Sequence, residues 1–128
     1  MKHTIALFGE AEKGAFRTPH ILKALPQMFD YLGSPPRDSE GLFFAVQALL
    51  YTREVVFFRV EEEGFSAGDY FSGLKFLTDR EQIRQVHALC LPGVGNTEIL
   101  DAFQNVCRIH DSLLITSQKD LYDYLTSH

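Results

Sequence analysis

No tryptophan occurs among the 128 residues, and cysteine occurs only twice. Cys90 and Cys107 are far apart; Cys90 sits in an apolar run and Cys107 on the apolar side of a helical pattern. They make neither a disulfide framework nor a close redox or zinc pair, and free thiols point to a reducing, cytoplasmic setting. No apolar run approaches the roughly 20 residues that span a bilayer. Met1-Lys2-His3 leads straight into a strand-like run, without the apolar region of a secretory signal. Positive charge is scarce: 12 Lys and Arg stand against 17 Asp and Glu, for a formal net charge of -5. Neither nucleic acid nor an anionic membrane is therefore an expected partner. The five histidines, His3, His20, His87, His110 and His128, show no HxH or HxxxH spacing, so no zinc site is expected.

What is abundant is apolar bulk. Eleven Phe and five Tyr, with 45% hydrophobic residues overall, can fill one core. The length suits one domain, residues 1–128. Thr4–Phe8 is a short apolar run stopped by Gly9 and reads as a buried strand. Thr18-Pro19 resembles a helix start, with Thr18 as cap and Ile21, Leu22, Leu25, Met28, Phe29 and Leu32 at helical spacing. Gly33 would end that helix and Pro26 would kink or split it. A helix from Ser39 carries Leu42, Phe43, Val46, Leu49 and Leu50. Val55–Val60 is the most strand-like segment. A helix after Ser66, a strand at Val86–Leu91, a helix after Asn96 or Thr97, a strand at Leu113–Thr116 and a helix after Ser117 complete the chain.

Alternating strands and helices predict an α/β fold, a three-layer sandwich with a mainly parallel sheet of about four to five strands, Rossmann-like or flavodoxin-like. The strands are apolar throughout, as strands covered on both faces are. Right-handed crossovers put the strand-to-helix loops at the carboxyl edge of the sheet, where such folds bind ligands.

Four of those loops, Gly9–Arg17, Glu61–Ser66, Pro92–Thr97 and Ser117–Gln118, are candidates for chemistry. In Leu91-Pro92-Gly93-Val94-Gly95-Asn96-Thr97-Glu98, Gly93 and Gly95 permit tight turns and close ligand approach. The helix start that follows suits an anion at the main-chain N–H groups of Gly95, Asn96 and Thr97. The same residues also serve as ordinary turn punctuation. The first loop supplies Gly9, Glu10 and Arg17. Arg17 can pair with a phosphate, and Glu10 can act as a base or hold Mg. Glu61-Glu62-Glu63 can join Glu10 in an acidic pocket, or be plain solvated surface. His87 beside Cys90 reads as a satisfied core histidine, and both cysteines as small buried hydrophobes.

The stretch Pro92-Gly93-Val94-Gly95-Asn96, followed by Glu98, resembles the Pro-Gly-Gly-x-Gly-Thr-x-x-Glu motif of the lysine-decarboxylase-like or LOG family. Those are phosphoribohydrolases of the SLOG nucleotide-binding superfamily. Val94 stands where that motif has its second glycine, and Glu98 lies one residue closer than the family's catalytic Glu. Ile5–Gly9 and Gly41–Val46 are similar to the family's first strand and to a helix start. The resemblance implies a nucleotide or sugar-phosphate ligand and a catalytic role for Glu98. With the loop residues read above, the candidate site is Glu98 and Glu10 for catalysis and Gly9, Arg17, Gly93, Gly95, Asn96 and Thr97 for binding. No cofactor is required by it, and no metal site is expected.

Two functions of different kind fit this reading. One is a domain that binds a small anionic ligand at the carboxyl edge, whether or not it hydrolyses it. The other is a non-enzymatic interaction or assembly module. The Phe-rich segment Leu42–Leu77 carries more apolar bulk than one thin domain buries, and predicts a homodimer.

Overall fold

The first apolar run forms strand β1 (Thr4–Gly9) in the computed structural model, which describes residues 3–127. Met1, Lys2 and His128, and the sequence readings placed on them, lie outside the described residues. The chain continues through β2 (Pro19–Leu22), α1 (Leu25–Leu32), α2 (Gly41–Leu50), β3 (Glu54–Arg59), α3 (Ala67–Thr78), β4 (Ala88–Cys90), α4 (Thr97–His110), β5 (Leu113–Ile115) and α5 (Gln118–Ser127). The five strands form one sheet in the order β2-β3-β1-β4-β5. β1 pairs in parallel with β3 and β4, and β5 pairs in parallel with β4.

Successive side chains of a strand point to opposite faces, and both faces here are apolar. Ile5, Leu7, Val55 and Phe57 pack with residues of α1, α2 and α5. Ala6, Phe8, Val56 and Phe58 pack with residues of α3 and α4. The second cluster is aromatic at its centre. Phe8 stacks on Phe58 at 4.7 Å and on Tyr70 at 5.3 Å, and meets Phe103 edge-on at 5.2 Å. Strands covered on both faces need no polar alternation, so the unbroken apolar runs of the sequence are accounted for.

One strand was not expected. Pro19–Leu22 is β2, antiparallel to β3, with Ile21 opposite Val56. The helix expected from Thr18 therefore starts later, at Leu25, and Pro26 lies in its first turn without kinking it. Proline keeps the residue before it out of the αR region and is tolerated on an edge strand, which is where Pro19 stands. Pro26 lacks only an N–H that the first turn leaves unpaired anyway. The sheet is thus mixed, with four parallel strands and one antiparallel edge. Ser39 does not cap α2: Glu40 holds that position, and the Ser39 hydroxyl donates to the Pro36 carbonyl at 2.8 Å. α2 ends at Leu50. At α3, Ser66 stands at the cap position, but its side chain makes no cap hydrogen bond. Among the described residues, no helix is long and apolar enough to cross a membrane.

Candidate functional site

The chain passes from β1 to β3 on one side of it, then crosses to β4 on the other. Strand order thus reverses at β1. The loops after β1, β3 and β4 meet there, at the carboxyl edge, where open α/β sheets bind ligands.

The end of β1 and the start of α2 touch through two glycines. A Cβ on Gly41 would lie 2.7 Å from the Gly9 Cα, and a Cβ on Gly9 equally close to the Gly41 Cα. Glu63, from the loop after β3, closes this junction. Its Oε1 accepts from the Glu10 N–H at 3.0 Å and the Gly41 N–H at 3.1 Å. Its Oε2 accepts from the Glu40 N–H at 2.7 Å. Glu10 reciprocates, its Oε2 accepting from the Glu63 N–H at 2.8 Å. A carboxylate of the chain itself therefore sits on the positive end of α2, in the manner of an anion at a helix N-terminus.

Burial of Glu63 raises its pKa, and the nearby charge of Glu10 adds to this, while the N–H donors from Glu40, Glu10 and Gly41 pull the other way. The net direction is upward from 4.5. A carboxyl whose pKa is higher folded than unfolded favours folding most when protonated. Its contribution is complete below about pH 4.5, the ordinary value, and is lost as pH rises through the folded pKa. Wild type should accordingly gain stability relative to Glu63→Gln on acidification from pH 7 to 4. Urea midpoints of the two proteins across that range test this, and a constant difference would refute it.

The loop after β3 also presses on the loop after β4. A Cβ on Gly64, whose φ is +90°, would stand 2.4 Å from the Gly93 carbonyl oxygen. Gly93 is itself left-handed at φ +79°. The Gly64 N–H donates to the Tyr70 hydroxyl at 2.7 Å, which ties this loop to the core. Gly95, in contrast, has no positive φ, and a Cβ there would meet nothing within 4 Å. The backbone demand in this loop thus falls on Gly93 and not on Gly95.

Of the two cap candidates, Asn96 and Thr97, it is Asn96 that caps α4: its Oδ1 accepts from the N–H groups of Glu98 at 2.8 Å and Ile99 at 3.3 Å. The main-chain N–H groups of Gly95, Asn96 and Thr97 carry no hydrogen bond among the described residues. Glu98 is exposed in the first turn of α4.

Arg17 is already engaged. Its Nε donates to Asp69 Oδ1 at 2.9 Å, and Asp69 Oδ2 accepts from the Glu61 N–H at 2.8 Å. Burial would raise the Asp69 carboxyl, but the Glu61 N–H and the Arg17 guanidinium outweigh it and hold the carboxyl below 3.8. Arg17 therefore binds the loop after β1 to α3.

The structure thus brings together Gly9, Glu10 and, through Gly64, Gly93. It leaves Glu98 in solvent and commits Arg17 to Asp69. Sequence reasoning singled out neither Glu63, beyond its place in an acidic run, nor Asp69. Among the described residues, no group of three or more His, Cys, Asp or Glu side chains is arranged to hold a metal ion.

The histidines lie elsewhere. His110 is buried, its Nδ1 accepting from the Val86 N–H at 3.3 Å and its Nε2 lying 2.6 Å from the Leu77 carbonyl oxygen. His87 is half-buried at the amino edge. Its Nδ1 accepts from the Thr4 N–H at 3.1 Å, and its ring stacks on His3 at 4.2 Å. Cys90 and Cys107 are free and buried, and burial pushes the Cys107 thiol up to about 11.

Comparisons of the chain with protein-family models, with curated proteins and with solved structures find no match.

Proposed function

We propose that the protein is a small Rossmann-like or flavodoxin-like domain, three-layered, that binds a nucleotide or sugar-phosphate type ligand at the carboxyl edge of its sheet. The observation that carries this reading is the set of unpaired N–H groups at Gly95, Asn96 and Thr97, beside the strand where the order reverses. Donors at a helix start beside a topological switch point suit a phosphate or carboxylate. Glu63 already occupies the start of α2, so the ligand's anionic group belongs on the α4 side of the crevice. The Pro92–Glu98 resemblance to phosphoribohydrolases supports the same ligand class, with Glu98 and Glu10 as the carboxylates nearest to any hydrolysis. Two buried thiols suit a cytoplasmic setting.

Calorimetric titration with nucleoside monophosphates tests this. Wild type should bind at millimolar concentration or better. Gly95→Val should weaken binding strongly at little cost in stability, because the site around Gly95 is open. Glu98→Ala should retain binding and lose any release of free base. No binding by wild type at millimolar ligand would overturn the reading.

A second reading, an interaction module without a small-molecule site, is favoured by one observation. The crevice is narrowed by the chain itself, with Gly64 against Gly93 and Glu63 across Gly9 and Gly41. Failure of the titration would leave this reading standing.

A further inference from the structure

Helix α2, Gly-Leu-Phe-Phe-Ala-Val-Gln-Ala-Leu-Leu, holds no charged residue, and Gln47 is its only polar side chain. A helix that is apolar all round is normally covered all round. Here one side is covered: Leu42, Phe44, Ala45, Ala48 and Leu49 are buried. The other side is Phe43, Gln47 and Leu50, spaced i, i+4 and i+7, so they share one face, with Val46 at its margin and partly packed on the core. Phe43 is 51% exposed and Leu50 is 64% exposed. α2 is in contact with both α1 and α5. On those two helices Phe29 is 50% exposed and Tyr122 is 56% exposed, and Tyr51 follows α2 at 41%.

We propose that a second copy of this chain packs on the outward face of α2, antiparallel, across a two-fold axis between Val46 and Gln47. Three observations select a second copy over another occupant. First, the face is self-complementary, as a two-fold interface must be. The axis sets Phe43 against Leu50 of the partner subunit and Leu50 against Phe43 of the partner subunit. It brings the two Gln47 amides together, each able to donate and accept. Second, the charges agree. The chain carries a net charge of -5, so two copies repel unless they meet at a neutral face, and α2 is neutral. Third, the area is sufficient. The five exposed side chains, at roughly 200 Å² each when bare, leave on the order of 500 Å² in solvent. A standard interface of about 800 Å² per partner, about 65% apolar in homodimers, needs about the same.

Sedimentation velocity and light scattering at tens of micromolar test this. Wild type should show twice the 14.6 kDa chain mass. Leu50→Lys and Phe43→Ser should each raise the dimer dissociation constant about thirtyfold or more, as loss of a central anchor does. Their circular dichroism should stay close to wild type, because both side chains face away from the core, and their melting should lose the concentration dependence that a dimer shows. Gln47→Glu should be monomeric at neutral pH and dimeric again near pH 4, where the facing carboxyls take up protons. A wild-type monomer at those concentrations would overturn the proposal, and so would a dimer that Leu50→Lys leaves intact. A monomer that instead binds phosphatidylglycerol vesicles through Leu50 would assign the face to lipid and likewise overturn it.

Discussion

Phe8→Ala should lower the free energy of unfolding by about 3–5 kcal/mol, the range for a fully buried phenylalanine. Phe8 is completely buried and stands where Phe58, Tyr70 and Phe103 converge. Removing its ring leaves three aromatic neighbours without a common partner, and strands β1 and β3 flank the gap. Domains of this size are stable by about 5–15 kcal/mol, so the change takes a large share of the total. Urea unfolding followed by circular dichroism measures it. Gly73 gives an independent check on the same packing: a Cβ there would lie 2.3 Å from Phe8 Cε2, so Gly73→Ala forces the ring to move. A loss under about 1 kcal/mol for Phe8→Ala would mean that the cluster is loosely packed, contrary to these distances.

Gly41→Val should damage stability and the carboxyl edge together. Its Cβ would stand 2.7 Å from the Gly9 Cα and 2.9 Å from Glu63 Oε1. The first contact is backbone, which cannot rotate away, so α2 must shift from the end of β1. Overpacking of this kind costs about 1–3 kcal/mol. The second contact expels the Glu63 carboxylate and leaves the N–H groups of Glu10, Glu40 and Gly41 without their acceptor. Slowly exchanging amides at those three positions should become fast, as hydrogen exchange followed by NMR would show. Unchanged protection would mean that Glu63 is not what orders this edge. The ligand site proposed on the α4 side should also weaken, because Gly9 and Glu10 form the opposite wall.

Much of this architecture is written in local pattern. Val55–Phe58 and Leu89–Leu91 are apolar without alternation, and that alone requires a sheet covered on both faces. Asn96 before an amphipathic run marks a helix start wherever it occurs, and its side chain does cap α4. Periodicity is local, so it survives any choice of strand order.

Other features depend on partners distant in sequence. Thr18–Leu22 carries signals for both a capped helix and a short strand, and five residues are too few for periodicity to separate them. β3 decided it, by offering an open edge to Pro19–Leu22. Glu61, Glu62 and Glu63 are identical in composition and nearly so in surroundings, yet only Glu63 turns inward to Glu10, Glu40 and Gly41. That choice rests on Gly64 at φ +90° and on two glycines, 9 and 41, that let β1 and α2 meet without side chains between them. Arg17 reads in sequence as a free cation for a phosphate, and only the fold brings Asp69 to it. The sequence by itself therefore determined the element types outside Thr18–Leu22 and which faces are apolar, because these follow from spacing within a few turns or pleats. The tertiary structure alone decided which charges are spent on one another, because a carboxylate's partners are set by loops that meet only after the strands have ordered.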